Sequence, residues 1–156
     1  MISSARCNIY EVNAASVIAL YGDFIEGGGR ELSLVLASSS PTAPIRDAVE
    51  KSLNALGYGR GACAYVRLKT PDCGALGAND LRSIVEGLDP LTIVVCDAEA
   101  AQLLESAYRS PVAGDAAFRV LGRDVIAFGD LGALIATPEG KQRAWALLKK
   151  IPRLER

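Results

Sequence analysis

No histidine occurs anywhere in the 156-residue chain. That removes the side chain most used for proton transfer near neutral pH and the commonest metal-binding imidazole. Cysteine is sparse: Cys7, Cys63, Cys73 and Cys96 show no C-x-x-C spacing, so they read as reduced thiols acting as small hydrophobes. No metal and no cofactor are expected. Long apolar runs are missing, since LSLVLA and LTIVVC are far too short to span a bilayer, and no membrane association is expected. The opening MISSARCNIYEV lacks a basic region followed by an apolar one, so the expected location is cytoplasmic. A basic surplus is also missing. At a formal net charge of -1, a tight electrostatic grip on a phosphate backbone is not expected, leaving weak or no nucleic-acid binding.

What is present points to one folded domain over residues 1–156. Hydrophobic residues make up 50% and charged residues 22%, a balance that permits a sizeable core and excludes disorder. Short apolar segments alternate with amphipathic ones. Strands are expected at 31–38, 62–68 and 91–96, with a further strand and tight turn at Gly122 in FRVLGRDVIAF. An opening helix is expected around NAASVIALYGDFI. Ile45, Ala48, Val49, Ser52, Leu53 and Leu56 fall on one helical face, and Gly57 suits a left-handed stop. Asn79 reads as the cap of a helix bearing Leu81, Ile84, Val85 and Leu88, and Asp97 as the cap of AEAAQLLESAY. Thr137-Pro138-Glu139 starts the last helix, whose Ala144, Leu147, Leu148 and Ile151 form a packing stripe with Trp145 beside it as a core residue. The pattern predicts a three-layer α/β/α fold with a short parallel sheet.

In such sheets ligands bind at the carboxyl ends of the strands. The loops there supply Ser38, Ser39 and Ser40, Arg67, Asp97 and Asp130 as a candidate pocket. The serines either cap the following helix or help hold an anion. Arg67 and Lys69 face an anionic ligand or solvent. Asp130 is either a turn former or a carboxylate acting on water. Lys141, Arg143, Lys149, Lys150 and Arg153 form a candidate basic patch, or simply cations favourable near a helix C-terminus.

From Asp130 onward the order is loop, apolar pair Leu134-Ile135, Pro138, Lys141 and Trp145. This order resembles the close of the uracil-DNA glycosylase superfamily. GLDPLTIVVCDAEAAQLLESAY is similar to its segment of Pro, apolar strand and Ala-Ala-x-x-Leu-Leu helix. LSLVLASSSPTAPIRDAVEKSLNALGY is similar to its first strand, Pro-containing loop and helix. The likeness runs over residues 31–150 and implies a glycosylase-like fold. Its catalytic histidine, which stabilises charge developing on uracil, falls on Asp130, where a carboxylate opposes an anionic leaving group. The first loop has serines where the family has a water-positioning residue, and YVRLKTP contains no Asn to read a base edge. The same close resembles the psi subunits of bacterial DNA polymerase III, which look like this scaffold without catalytic residues. The resemblance therefore implies a non-catalytic binding or adaptor module with a protein partner, in DNA replication or repair. The alternative is an enzyme or binder that takes a small nucleotide-like or anionic ligand at the strand ends.

Overall fold

The computed structural model describes residues 9–154, with side chains from residue 13 onward; Cys7 lies outside the described residues. The chain opens with α1 (Ile9–Tyr21) and a two-residue strand β1 (Ile25–Glu26), then β2 (Ser33–Ala37) and α2 (Ala43–Ala55). Next come β3 (Cys63–Arg67), a small hairpin of β4 (Lys69–Thr70) and β5 (Gly74–Ala75), and α3 (Ala78–Leu88). Strand β6 (Thr92–Val95) leads to α4 (Ala98–Tyr108), and a hairpin follows of β7 (Ala116–Val120) and β8 (Arg123–Ala127). A short α5 (Leu131–Leu134) and α6 (Pro138–Leu148) complete the order.

The main sheet has the order β1-β3-β2-β6-β8-β7. Its four central strands are parallel, and β1 and β7 pair antiparallel at the two edges. The sheet is thus mixed rather than purely parallel. The β7 edge turns antiparallel because a two-residue turn at Leu121 and Gly122 (φ 45° and 82°) folds β7 directly onto β8, which needs no crossover helix.

Alternation along each strand feeds two apolar layers. Leu34, Leu36, Ala64, Val66, Ile93, Val95, Val125 and Ala127 pack toward α1, α3 and α4. Val35, Ala37, Tyr65, Val94, Ile126 and Phe128 pack toward α2, α5 and α6. The three-layer α/β/α expectation is met. Among the described residues no helix is long and apolar enough to cross a membrane.

Three helix starts differ from expectation, the first being α1, which begins at Ile9 and ends at Tyr21 rather than running over 13–25. Helix α3 is capped at Gly77, not Asn79: the Asp80 carboxylate accepts the Gly77 N–H at 2.8 Å, which places the first turn two residues earlier. Helix α2 is capped at Thr42, so Ser38, Ser39 and Ser40 stand before it and cap nothing. Gly57 adopts φ 92° just past the end of α2, as its sequence position implies.

Candidate functional site

The strand order reverses between β2 and β6: the chain steps from β2 outward to β3, then crosses back to β6 on the other side. At such a switch point the loops on either side diverge and commonly leave a crevice. Here side chains and backbone bridge it. Asp97, just after β6, accepts the Ser38 N–H through Oδ2 at 2.8 Å and the Ala100 N–H through Oδ1 at 2.9 Å. It caps α4 and ties down the loop after β2 with the same carboxylate. Asp97 and Asp130 form an antiparallel bridge, and the Leu131 N–H reaches the Cys96 carbonyl at 2.9 Å. Asp130 also caps α5, accepting the Ala133 N–H at 3.0 Å. Ser38, Asp97 and Asp130 are therefore brought together as sequence reasoning proposed. Asp97 has both carboxylate oxygens, and Asp130 one of its two, committed to backbone amides.

Ser40 and Arg67 belong to a different place. They line a cleft of about 150 Å³ at the end of β3 with Phe24, Glu26, Arg46 and Tyr65. Arg46 pairs with Glu26, donates to Ser40 Oγ at 3.3 Å and stacks 4.2 Å from the centre of the Tyr65 ring. The hydrogen bond from Arg46 and its positive charge hold the Glu26 carboxyl below its ordinary range. Arg67 donates to the Asp23 carbonyl through Nε at 3.0 Å and a terminal nitrogen at 2.8 Å. The Tyr65 hydroxyl is buried with no hydrogen-bond partner among the described residues, and burial, Cys63 and Glu50 all push its pKa up. Lys69 faces neither ligand nor open solvent alone; it pairs with Glu99 at 2.9 Å.

A second, wider concavity lies away from the strand ends, between α2 and α6 with α5 at one end. It is an open groove of about 720 Å³. Pro44, Ala48, Ser52 and Ala55 form its α2 wall, and Ile135, Ala144 and Leu148 its floor. The i, i+4, i+8, i+11 spacing keeps these α2 residues on one face, and their small side chains leave the space open. Trp145 stands at the opposite rim. It is not the core residue expected from its place beside Leu148, because 39% of it is exposed. Helix α6 turns Ala144 and Leu148 inward, as expected, and Trp145, one residue on from Ala144 and so turned by about 100°, looks over the rim. Gly140 lets α6 approach α5 closely: a Cβ there would collide with the Leu134 carbonyl oxygen.

The candidate basic patch is divided by the helix. Lys141 and Trp145, one turn apart, line the groove, whereas Lys149 lies just past the end of α6 and off the lining, and Arg143 is rotated roughly 200° from Lys141. Arg153 donates to the Ala55 carbonyl at 3.3 Å. Among the described residues Lys141, Arg143, Lys149 and Lys150 have no ion-pair partner. Sequence reasoning did not find Arg46, Tyr65 or the groove. The only sequence trace of the groove is the second, small-residue face of α2, at Pro44, Ala48 and Ala55, opposite in character to the Val49–Leu53 core face.

Among the described residues no group of three or more cysteines and carboxylates is placed to hold a metal ion. No protein-family model matches the chain, and no curated protein matches it in sequence.

Proposed function

We propose that this chain is a uracil-DNA glycosylase-like scaffold without glycosidic activity, working as a protein-binding module in DNA replication or repair. One observation carries the reading. The residue aligned with the family's catalytic histidine, Asp130, is an α5 cap bridged to Asp97, and both serve backbone hydrogen bonding. The Asp130 carboxylate already accepts the Ala133 N–H as a helix cap, and its charge has the wrong sign for an anionic leaving group. The arrangement after β8 supports the same reading. A loop, a short apolar helix, Thr137-Pro138 and a helix bearing Lys141 and Trp145 follow in the order that suggested the resemblance.

The test is excision by the purified full chain on single- and double-stranded DNA containing uracil. No release of uracil is expected. Release that is lost on Asp130→Ala would overturn the reading.

A second reading draws on the cleft at Arg46 and Arg67. Two guanidinium groups, Arg46 and Arg67, lining one small cleft favour a small anion there. At about 150 Å³ the cleft admits an ion of phosphate size and excludes a whole nucleotide. Calorimetric titration with inorganic phosphate, repeated on Arg46→Ala, tests it; heat that is unchanged by the substitution removes it.

A further inference from the structure

The outer edge of β7, we propose, pairs antiparallel with the same edge of a second copy of this chain, joining two sheets about a two-fold axis at Phe118. This pairing is independent of the binding-module reading. Strand β7 ends the main sheet, and among the described residues no strand lies beyond it. The hairpin decides which of its groups face outward. Val120 and Arg123 flank the turn at Leu121 and Gly122 and therefore exchange hydrogen bonds across it. Antiparallel pairs alternate, so Phe118 and Val125 repeat that pattern, whereas Arg119–Asp124 and Ala117–Ile126 do not. The Asp124 N–H agrees with this phase: turned away from β7, it donates to the Leu91 carbonyl at 3.1 Å. The amides and carbonyls of Ala117 and Arg119 consequently point away from β8, and both residues are exposed.

One register of self-pairing uses all of these groups. With Phe118 opposite its counterpart, Ala117 faces Arg119 and Arg119 faces Ala117, and each facing pair exchanges hydrogen bonds. Sliding by two residues one way sets the two Arg119 side chains against each other. Sliding the other way leaves Arg119 beyond the end of the facing strand. The side chains suit the central register. Phe118 is half-buried against the layer of α1, α3 and α4, and its counterpart completes its cover as a cross-strand aromatic pair. Arg119 is held by Asp124 at 3.1 Å and by the Gly122 carbonyl at 2.7 Å, so nothing across from it meets a free charge. An extended segment of another protein would satisfy the backbone alone; the two-fold match of side chains selects a second copy. Strand β7 also lacks the lysine, proline or bulge that usually guards an open edge. At a net charge of -1 two copies repel each other only weakly. Five residues a side make a small interface, so the dimer is expected to dissociate on dilution.

Sedimentation velocity of the full chain over a wide concentration range is expected to show monomers converting to dimers and nothing larger. Ala117→Pro removes an outward amide at a position where an edge strand tolerates proline, and is expected to abolish the dimer. Ala117→Lys sets like charges opposite each other at both ends of the pairing and is expected to weaken it at least about threefold. Ala117→Glu sets a carboxylate opposite Arg119 and is expected to strengthen it by about the same factor. Circular dichroism and thermal unfolding of each variant confirm that the fold is retained. A monomer at every concentration, assemblies larger than the dimer, or a dimer indifferent to Ala117→Pro each overturns the inference. So do lysine and glutamate variants that shift the dimer in the same direction. If the proline variant fails to fold, the opposed shifts of the lysine and glutamate variants decide alone.

Discussion

The Asp97 carboxylate accepts the backbone N–H of Ser38, 59 positions earlier in the chain, at 2.8 Å, while capping α4 with its other oxygen. One side chain thereby holds the two loops that flank the switch point of the sheet. This accounts for the presence of an acidic residue at the carboxyl edge without assigning it any chemistry.

Removing that carboxylate takes away a helix cap and leaves a second amide without its acceptor. Asp97→Ala is expected to cost about 2–4 kcal/mol, combining the usual cap loss with an orphaned, partly buried donor. Asp130→Ala, which loses one cap bond, is expected to cost about 1 kcal/mol. Urea denaturation followed by circular dichroism ranks the two. Equal midpoints would show that the Ser38 bond contributes nothing.

The two neighbours on α6 should respond in opposite ways. Leu148 is 1% exposed in the core beneath α6, so Leu148→Ala is expected to destabilise by about 2–5 kcal/mol. Trp145→Ala removes a far larger side chain, yet its rim position predicts a loss under about 1.5 kcal/mol. Comparable losses at both sites would place Trp145 in the core after all.

Gly140 permits the contact of α6 with the end of α5. Alanine raises helix propensity at that position, but its methyl would collide with the Leu134 carbonyl oxygen. Gly140→Ala is therefore expected to lower stability by about 1–3 kcal/mol, and thermal unfolding reports it directly. A rise in the melting temperature would show that propensity outweighs the clash.

The thiols predict a reactivity pattern and a pH profile. Burial, as the largest cause, raises Cys63 and Cys96 from 9.0 to about 12, with further upward pressure from Glu50 and Asp97 respectively. Cys73 is exposed. Maleimide labelling of the native protein at pH 8, read by peptide mass, should modify Cys73 readily and Cys63 and Cys96 only after denaturation. Because both buried thiols keep their protons in the folded state longer than in the unfolded state, their contribution to stability is complete below pH 9. It falls as pH rises from 9 to about 12. Serine at both positions should flatten that decline, as measured by urea midpoints across the range.

Much of the fold was legible before any coordinates. Leu81, Ile84, Val85 and Leu88 announced α3 by their spacing, and all four are buried. Asp97 and Thr137 announced their helices as caps, and both accept the expected amide. The site was legible only in part. Asp97, Asp130 and Ser38 are neighbours at the strand ends, but Arg67 and Ser40 belong with Arg46 and Tyr65 in a separate cleft. Nothing local distinguishes a strand-end arginine that faces the switch point from one that reaches an edge strand.

By itself the sequence determined which side chains turn inward, because helix and strand repeats are set by backbone geometry within a few residues. It also determined where α4 and α6 begin, because a cap and its amide lie three residues apart. The tertiary structure alone decided what the strand-end carboxylates do, whether Trp145 is covered, and that α2 and α6 leave an open groove. Each of those outcomes depends on segments tens of residues apart meeting in one particular strand order, and no local pattern encodes that distance.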